Sequence, residues 1–182
     1  MDQLEQIEST IKTLKEKILC EGSHYLKEIN ILTSMRGLRV FTAIAIISDI
    51  ITVKRFSNSK KFASYLRSTP RVSSSNEKTI IKSTNKAGRK VSITLLSQEL
   101  NHFRNSNPKI GRWHDRLRVY KKAGVVRMGM CRRVITEIYQ MLKKEEYHYF
   151  RDPENHKKKM NEYIKLLKRK GVDFSEGINI AA

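Results

Sequence analysis

Apolar residues recur at alternating spacings of three and four from the start of the chain: Leu4, Ile7, Ile11, Leu14 and Ile18. That spacing is an a/d seam along one face of a helix. Glu8 and Lys12 add an i, i+4 pair on its polar side. Gly22 interrupts the seam, and Tyr25, Ile29 and Leu32 resume it. Two readings stay open for this segment: an amphipathic helix packed on its own domain, or a coiled-coil arm that pairs with another chain. Thr33 to Arg39 follows as a short connector containing Gly37, and residues 40–53 predict an apolar helix broken by Asp49. The connector is either an ordinary link or a helix-hairpin-helix turn, in which backbone N–H groups and a helix N-terminus face a phosphate.

Beyond it, Ser57 or Ser59 caps a helix on which Phe62, Tyr65 and Leu66 share a face. Lys60 and Lys61 fall in its first turn, where positive charge opposes the helix dipole. Such a mismatch points to a partner. Pro70 disfavours helix at Thr69. The Ser/Thr/Asn-rich residues 72–84, with the β-prone Thr79-Ile80-Ile81, predict a loop or irregular hairpin turning near Asn76. A turn at Asn85–Lys90 opens a helix to about Asn105, with Val91, Leu95, Leu96 and Leu100 apolar, and Ser106-Asn107-Pro108 stops it. Ile110–Tyr120 reads as a short helix carrying Trp113 and Leu117, and Lys121–Gly124 as a turn. Met128–Lys144 reads as a long helix with Val134, Ile138, Met141 and Leu142 inward. A last helix covers roughly Asn155–Lys170 and ends at Gly171, and the tail from Ser175 frays. Extended alternation is scarce, so the fold class is mainly α. It divides into a coiled-coil-like arm (1–32), a compact multi-helix domain with a helix-hairpin-helix-like turn and a Ser-rich loop or short hairpin (33–150), and a basic helix and tail (151–182).

Composition narrows the class of partner. The chain has 182 residues, 39% hydrophobic and 30% charged. Lys plus Arg number 37 against 18 Asp plus Glu, a formal net charge of +19 with a pI near 10.1. Residues 1–30 hold four Lys and six acids, whereas residues 54–90 hold eleven Lys/Arg and one acid, and residues 104–133 ten and one. An acidic leader thus precedes two basic blocks. The surplus is not confined to one amphipathic helix, which favours nucleic acid over an anionic membrane surface. The longest apolar run, Val40–Val53, is too short to span a bilayer. Cys20 and Cys131 have no metal-ligand spacing and make no disulfide framework. No secretory signal opens the chain. A reducing cytoplasm is the expected compartment.

Candidate chemistry is sparse. A metal-dependent nuclease needs several carboxylates about one or two ions, yet residues 31–136 contain only Asp49, Glu77, Glu99 and Asp115. His24, His102, His114, His148 and His156 show no ligand spacing, and no metal site or cofactor is expected in this chain. There is no P-loop and no G-x-S-x-G. A serine hydroxyl could attack a phosphate if positive charge, in-line positioning and a base or metal were provided. In Ser73-Ser74-Ser75, flanked by Arg67, Arg71 and Lys78, the first of these is present.

The order Arg36-Gly37-Leu38-Arg39, Thr42-Ala43, Arg55-Phe56-Ser57, Lys60-Lys61-Phe62-Ala63-Ser64-Tyr65, Thr69-Pro70, Ser74-Ser75 and Lys86-Ala87-Gly88 resembles the C-terminal domain of bridge-RNA-guided DEDD serine transposases of bacterial and archaeal insertion sequences. The resemblance covers residues 33 to about 120, with a continuation through Tyr149. It implies a domain that bears a serine nucleophile and works with an N-terminal RNase-H-like domain whose Asp and Glu residues bind magnesium. A coiled coil joins the two and promotes dimers and tetramers, and a structured guide RNA pairs with donor and target DNA. The resemblance makes Ser75 the best match to the family serine, with Ser74 as the fallback. It places Lys60, Lys61 and Lys86 on a nucleic-acid surface, and the basic residues Arg36, Arg39, Arg55, Arg67, Arg71, Lys78 and Arg89 are further candidates for nucleic-acid contact. Departures fall at Arg36 (proline in the family), at Arg39, Arg67 and Asn76 (each a glycine) and at Arg89 (asparagine). The magnesium-binding domain is absent, so a truncated or decayed copy, or the downstream half of a split gene, is expected. DNA, guide RNA, a second copy or an N-terminal transposase half are the expected partners, and no membrane. Two other readings remain: a non-catalytic nucleic-acid-binding protein, and a coiled-coil assembly module.

Overall fold

A computed structural model describes the backbone of residues 2–75, 78–84 and 88–173, and the side chains of residues 3–70 and 88–173. It is mainly helical, in agreement with the periodicity. Helix α1 spans Asp2–Glu21 and passes through a 3-10 turn at Gly22–Tyr25 into α2, Leu26–Thr33. Then come α3 (Val40–Ile50), α4 (Ser59–Tyr65), an antiparallel hairpin of β1 (Pro70–Ser75) and β2 (Lys78–Thr84), α5 (Val91–Ser106), α6 (Pro108–Arg118), α7 (Ala123–Lys144) and α8 (Pro153–Arg169).

The core forms around α7, which packs on α2, α4, α5 and α6. Its inward residues Met130, Val134, Ile135 and Ile138 are almost fully buried, as are Ile29 and Leu32 of α2, Ile46 of α3, Phe62 and Leu66 about α4, and Leu96 and Phe103 of α5. Phe56, Phe62 and Tyr139 form an edge-packed aromatic row at the α4–α7 contact. The seam of α1 stays outside. Leu4, Ile7, Ile11, Leu14 and Ile18 are between 41% and 70% exposed. Among the described residues, α1 is fastened near its C-terminal end, through Leu19 against the core and Glu16 to Arg169 of α8 and to Lys170 just past it. Nothing among the described residues covers the seam from Leu4 to Ile18.

Several boundaries differ from the sequence expectation. The cap of α4 is Asn58, not Ser57 or Ser59: its backbone is extended and its side chain accepts from Lys61 N–H at 2.9 Å. Pro108 ends α5 and also begins α6, because a missing N–H costs nothing at N1. Asn107 caps that helix, accepting from Lys109 and Ile110 N–H at 3.1 and 3.3 Å. Helix α7 begins at Ala123 rather than Met128 and absorbs Gly124. The apolar helix ends at Ile50, three residues early. The Ser-rich segment is a hairpin; the turn expected at Asn76 lies outside the described residues, as do the side chains of residues 71–87 and the C-terminal tail from residue 174.

Candidate nucleic-acid interface

Helices α3 and α5 lie side by side in opposite directions, and each supplies an acid to the N-terminal end of the other. Asp49, near the end of α3, accepts from the Ser92 N–H at 3.0 Å and the Ser92 hydroxyl at 2.6 Å, in the first turn of α5. Glu99 of α5 accepts from the Thr42 hydroxyl at 2.8 Å and from the Arg39 backbone N–H, at the start of α3. A carboxylate at a helix N-terminus satisfies orphan N–H groups and complements the dipole. Both acids are buried. Burial raises the Glu99 pKa, and the Thr42 bond and the Arg39 charge oppose that rise.

This geometry changes the picture of the Thr33–Arg39 connector. Its helix N-terminus faces Glu99, so an acid of the chain sits where a helix-hairpin-helix turn would receive a phosphate. Gly37 has φ +95°, and a Cβ there would stand 3.0 Å from the Phe103 nitrogen, so the turn lies flat against α5. Lys159 of α8 fixes it from the other side, donating to the Thr33 and Leu38 carbonyls, each at 3.1 Å. Burial lowers the Lys159 pKa, against the pull of Glu99 and Asp152.

A second constellation sits at the base of the hairpin. Helix α4 ends with Ser68 N–H on the Ala63 carbonyl at 2.9 Å and Arg67 N–H on Ser64 at 3.0 Å. This is a Schellman pair, which needs a left-handed residue between helix and exit. Arg67 is that residue, with φ +55°. It stands where the resembled family carries glycine. Its guanidinium Nε donates to the Gly88 carbonyl at 2.6 Å, and the Arg89 N–H reaches the Tyr65 carbonyl at 3.1 Å. Gly88 has φ +105°, and a Cβ there would stand 2.3 Å from the Tyr65 carbonyl oxygen. Both legs of the hairpin are thus tied to the end of α4. Arg55 lies 4.9 Å from the Tyr65 ring, the Arg89 guanidinium bonds the Tyr65 hydroxyl, and that hydroxyl also donates to the Asp49 carbonyl at 3.0 Å. Arg55 and Arg89 therefore meet at Tyr65, with Arg67 on the neighbouring Gly88 carbonyl and the exposed Lys60 and Lys61 on the first turn of the same helix.

The structure separates the other candidates. Arg36 pairs with Asp152 at 3.8 Å, and Arg39 lies 3.4 Å from His102 and 3.8 Å from Glu99. These two belong to the far end of α3, about 16 Å from the hairpin base at 1.5 Å per residue. Ser75 and Ser74 are paired across the hairpin with Lys78 and Thr79. Ser75 is five residues along β1 from Pro70, about 17 Å at the usual rise of a strand. Arg67 consequently does not flank the serines, contrary to the sequence expectation: it is held at the base by Gly88. The side chains of Ser74, Ser75, Arg71, Lys78 and Lys86 lie outside the described ones.

Three of the four acids that might have held magnesium are engaged otherwise, and Glu77 lies outside the described residues. Asp49 and Glu99 serve the two helix ends. Asp115 lies 2.8 Å from Arg104 and 2.9 Å from His114, which hold its carboxyl below the usual range. No group of three potential ligands occurs among the described residues. These residues do not fit a magnesium site. Sequence reasoning also missed one concentration of charge: Arg104, Arg118 and Arg127, from three helices, line one cavity. Their block had shown only as a count of basic residues.

Residues 29–98 match the model of the transposase IS116/IS110/IS902 family. The match runs from α2 into α5, under half of the chain, and contains the hairpin and all twelve residues proposed for catalysis or nucleic-acid contact, from Arg36 to Arg89. It supports a transposase-type function of insertion-sequence origin. No curated protein matches the chain. Among the described residues, no helix is long and apolar enough to cross a membrane.

Proposed function

We propose that this chain is the DNA-binding, serine-bearing part of an insertion-sequence transposase, acting in DNA transposition with a separate metal-binding domain. The observation that carries the reading is the basic-based hairpin inside the matched segment: Arg55 and Arg89 at Tyr65 and Arg67 on Gly88 at its root, and Ser74-Ser75 at the far end of β1. Cationic side chains at the root would hold backbone phosphates, giving affinity and orientation rather than sequence reading. The hairpin would then carry Ser75 out along the bound strand. Attack by Ser75 Oγ on a phosphodiester phosphorus forms a serine–phosphate ester and releases a 3′- or 5′-hydroxyl. The Ser75 Oγ proton must pass to a base and the departing oxygen must gain a proton; these transfers, and magnesium, would be supplied by the separate metal-binding domain. A structured guide RNA as second partner belongs to the same reading.

The test is covalent capture of DNA on a denaturing gel, with the metal-binding domain supplied in trans. An adduct in the parent that disappears in Ser75→Ala is the expected result. An adduct lost only in Ser74→Ala moves the role by one residue, and one retained in both variants overturns the serine reading. DNA binding with no adduct in the parent favours a non-catalytic nucleic-acid-binding protein.

One observation favours assembly as an additional role. The exposed seam of α1 is long, apolar and uncovered by the rest of the chain among the described residues. Ile11→Glu with Leu14→Glu should convert a dimer or higher species to monomer by light scattering without changing the melting of the helical body. A monomeric parent protein removes this role.

A further inference from the structure

A cavity of about 180 Å³ opens where α5, α6 and α7 meet. Its lining includes Ser97, Asn101 and Arg104 of α5, His114 and Arg118 of α6, and Arg127 of α7. Three arginines therefore line one small concave site. Asp115 answers only one of them, Arg104. Arg127 donates to the Ser97 carbonyl at 2.8 Å and Arg118 to the Lys121 carbonyl at 3.4 Å. A guanidinium has five N–H donors, so one bond to a neutral carbonyl leaves both the charge and most of the fork for an anion. Ala123, the first residue of α7, also lines the cavity, and no acid stands in that first turn.

The adjoining α6–α7 turn has a different character. Tyr120 is 63% exposed, and Arg118, Lys121 and Lys122 surround it in sequence, with the Lys121 Nζ 5.8 Å from its ring. An isolated exposed tyrosine is ordinary. One set among cations beside a cavity of arginines combines the two elements that single-strand binders use: charge that tracks the backbone and an aromatic face on which a base stacks. A duplex keeps its bases stacked on one another and cannot offer that face.

We propose that this cavity holds a backbone phosphate of single-stranded nucleic acid on Arg118 and Arg127, with a neighbouring base stacked on Tyr120. These residues lie beyond the segment 29–98 matched by the transposase family. The α5 wall of the cavity runs from Ser97 to Arg104, eight to fifteen residues along from Arg89, about 12–22 Å at the rise of a helix, so the site is separate from the hairpin root. The proposal rests on the nucleic-acid reading of the chain and adds a second surface to it.

The experiment measures binding of a short labelled single strand and of the blunt duplex of the same sequence, over a range of salt. It compares the parent, Arg118→Gln/Arg127→Gln, Tyr120→Ala and Lys60→Gln/Lys61→Gln. The arginine variant should lose about tenfold in single-strand affinity and flatten the slope of log K against log salt by about 0.7, one neutralised phosphate. Tyr120→Ala should weaken the single strand by about tenfold and leave the duplex unchanged. The single variant Arg118→Gln, whose side chain makes one long bond, repeats the test should the double variant not fold. Failure of the parent to bind any probe overturns the nucleic-acid reading together with this site. Binding weakened by the lysine variant but not by the arginine variants keeps that reading and overturns the site. Thermal stabilisation of the parent by inorganic phosphate at fixed ionic strength, with strand binding intact in the arginine variants, assigns the cavity to a free anion. Self-association lost in Tyr120→Ala, with strand binding intact, assigns the turn to a protein contact. Either result overturns the proposal.

Discussion

Asp49→Ala removes the carboxylate that holds the first turn of α5. Two bonds are lost, to the Ser92 N–H at 3.0 Å and to the Ser92 hydroxyl at 2.6 Å, at a serine that is fully buried. The hydroxyl has a second acceptor, the Ala45 carbonyl at 3.3 Å, so the N–H is the group left without a partner. Loss of an N-terminal cap costs about 1 kcal/mol. A hydrogen bond to a charged group contributes about 1.5–3 kcal/mol, and an orphaned buried donor carries a penalty of similar size. These terms overlap, and about 3 kcal/mol is the expected loss. For a chain of this length each kcal/mol moves the melting temperature by about 2–4 °C, so circular dichroism should show a fall of about 6–12 °C. Asp49→Asn keeps the shape and one acceptor oxygen but loses the charge, and should cost about 1 kcal/mol. A fall below about 2 °C in the alanine variant, or equal falls in both, would show that Asp49 does not act as a cap. Magnesium provides a second check. If it raises the parent's melting temperature and does nothing to the asparagine variant, Asp49 is a metal ligand and the capping account is wrong.

Three further outcomes follow from named contacts. Arg67 holds a left-handed conformation at φ +55°, which costs a non-glycine residue about 1–2 kcal/mol. Arg67→Gly relieves that cost and forgoes the bond to Gly88, so urea unfolding should place it within about 1 kcal/mol of the parent, and Arg67→Val should lie well below; equal midpoints for the two variants would refute the backbone assignment. Cys131 is fully buried and burial pushes its thiol up to about 12, whereas Cys20 is half-buried. A disulfide reagent at mild pH should therefore modify Cys20 alone in the native protein and both thiols after unfolding, and early modification of Cys131 contradicts the packing of α7. His156 is buried with Nε2 2.9 Å from the Asn30 carbonyl, and burial lowers its pKa from 6.5 to about 4. Its folded pKa is depressed, so the stability linked to it is complete above about 6.5 and falls as the pH drops toward about 4. At 1.36 kcal/mol per unit the full loss approaches about 3 kcal/mol. His156→Gln should flatten the pH dependence of urea unfolding over that window, and an unchanged slope refutes the assignment.

The helices were readable from the chain because a 3.6-residue repeat is fixed within a turn or two by local sequence. The apolar row of α7, the seam of α1 and the break after Gly22 all have this origin. The hairpin was legible only in part, because the β-prone Thr79-Ile80-Ile81 in a Ser/Thr/Asn-rich segment fits a loop as well. The sign and location of the charge were plain. Boundaries were less so. Proline satisfies the end of α5 and the start of α6 alike, and composition does not choose between them.

What only the tertiary structure decided is which groups meet. Asp49 finds Ser92 across 43 positions and Thr42 finds Glu99 across 57. Both acids thereby pass from possible metal ligands to helix caps. Arg67 goes to the root of the hairpin rather than to its serines, because the end of α4 needs a left-handed residue there and Gly88 lies within reach. The seam of α1 reads the same whether buried or open, and the packing leaves it open. Three arginines from α5, α6 and α7 share a cavity that no spacing in the sequence foretells. Periodicity records which face of an element is apolar, and that is a property of neighbouring residues. The partner of a charged group depends on how faces pack, and that is set by contacts between residues far apart in the chain.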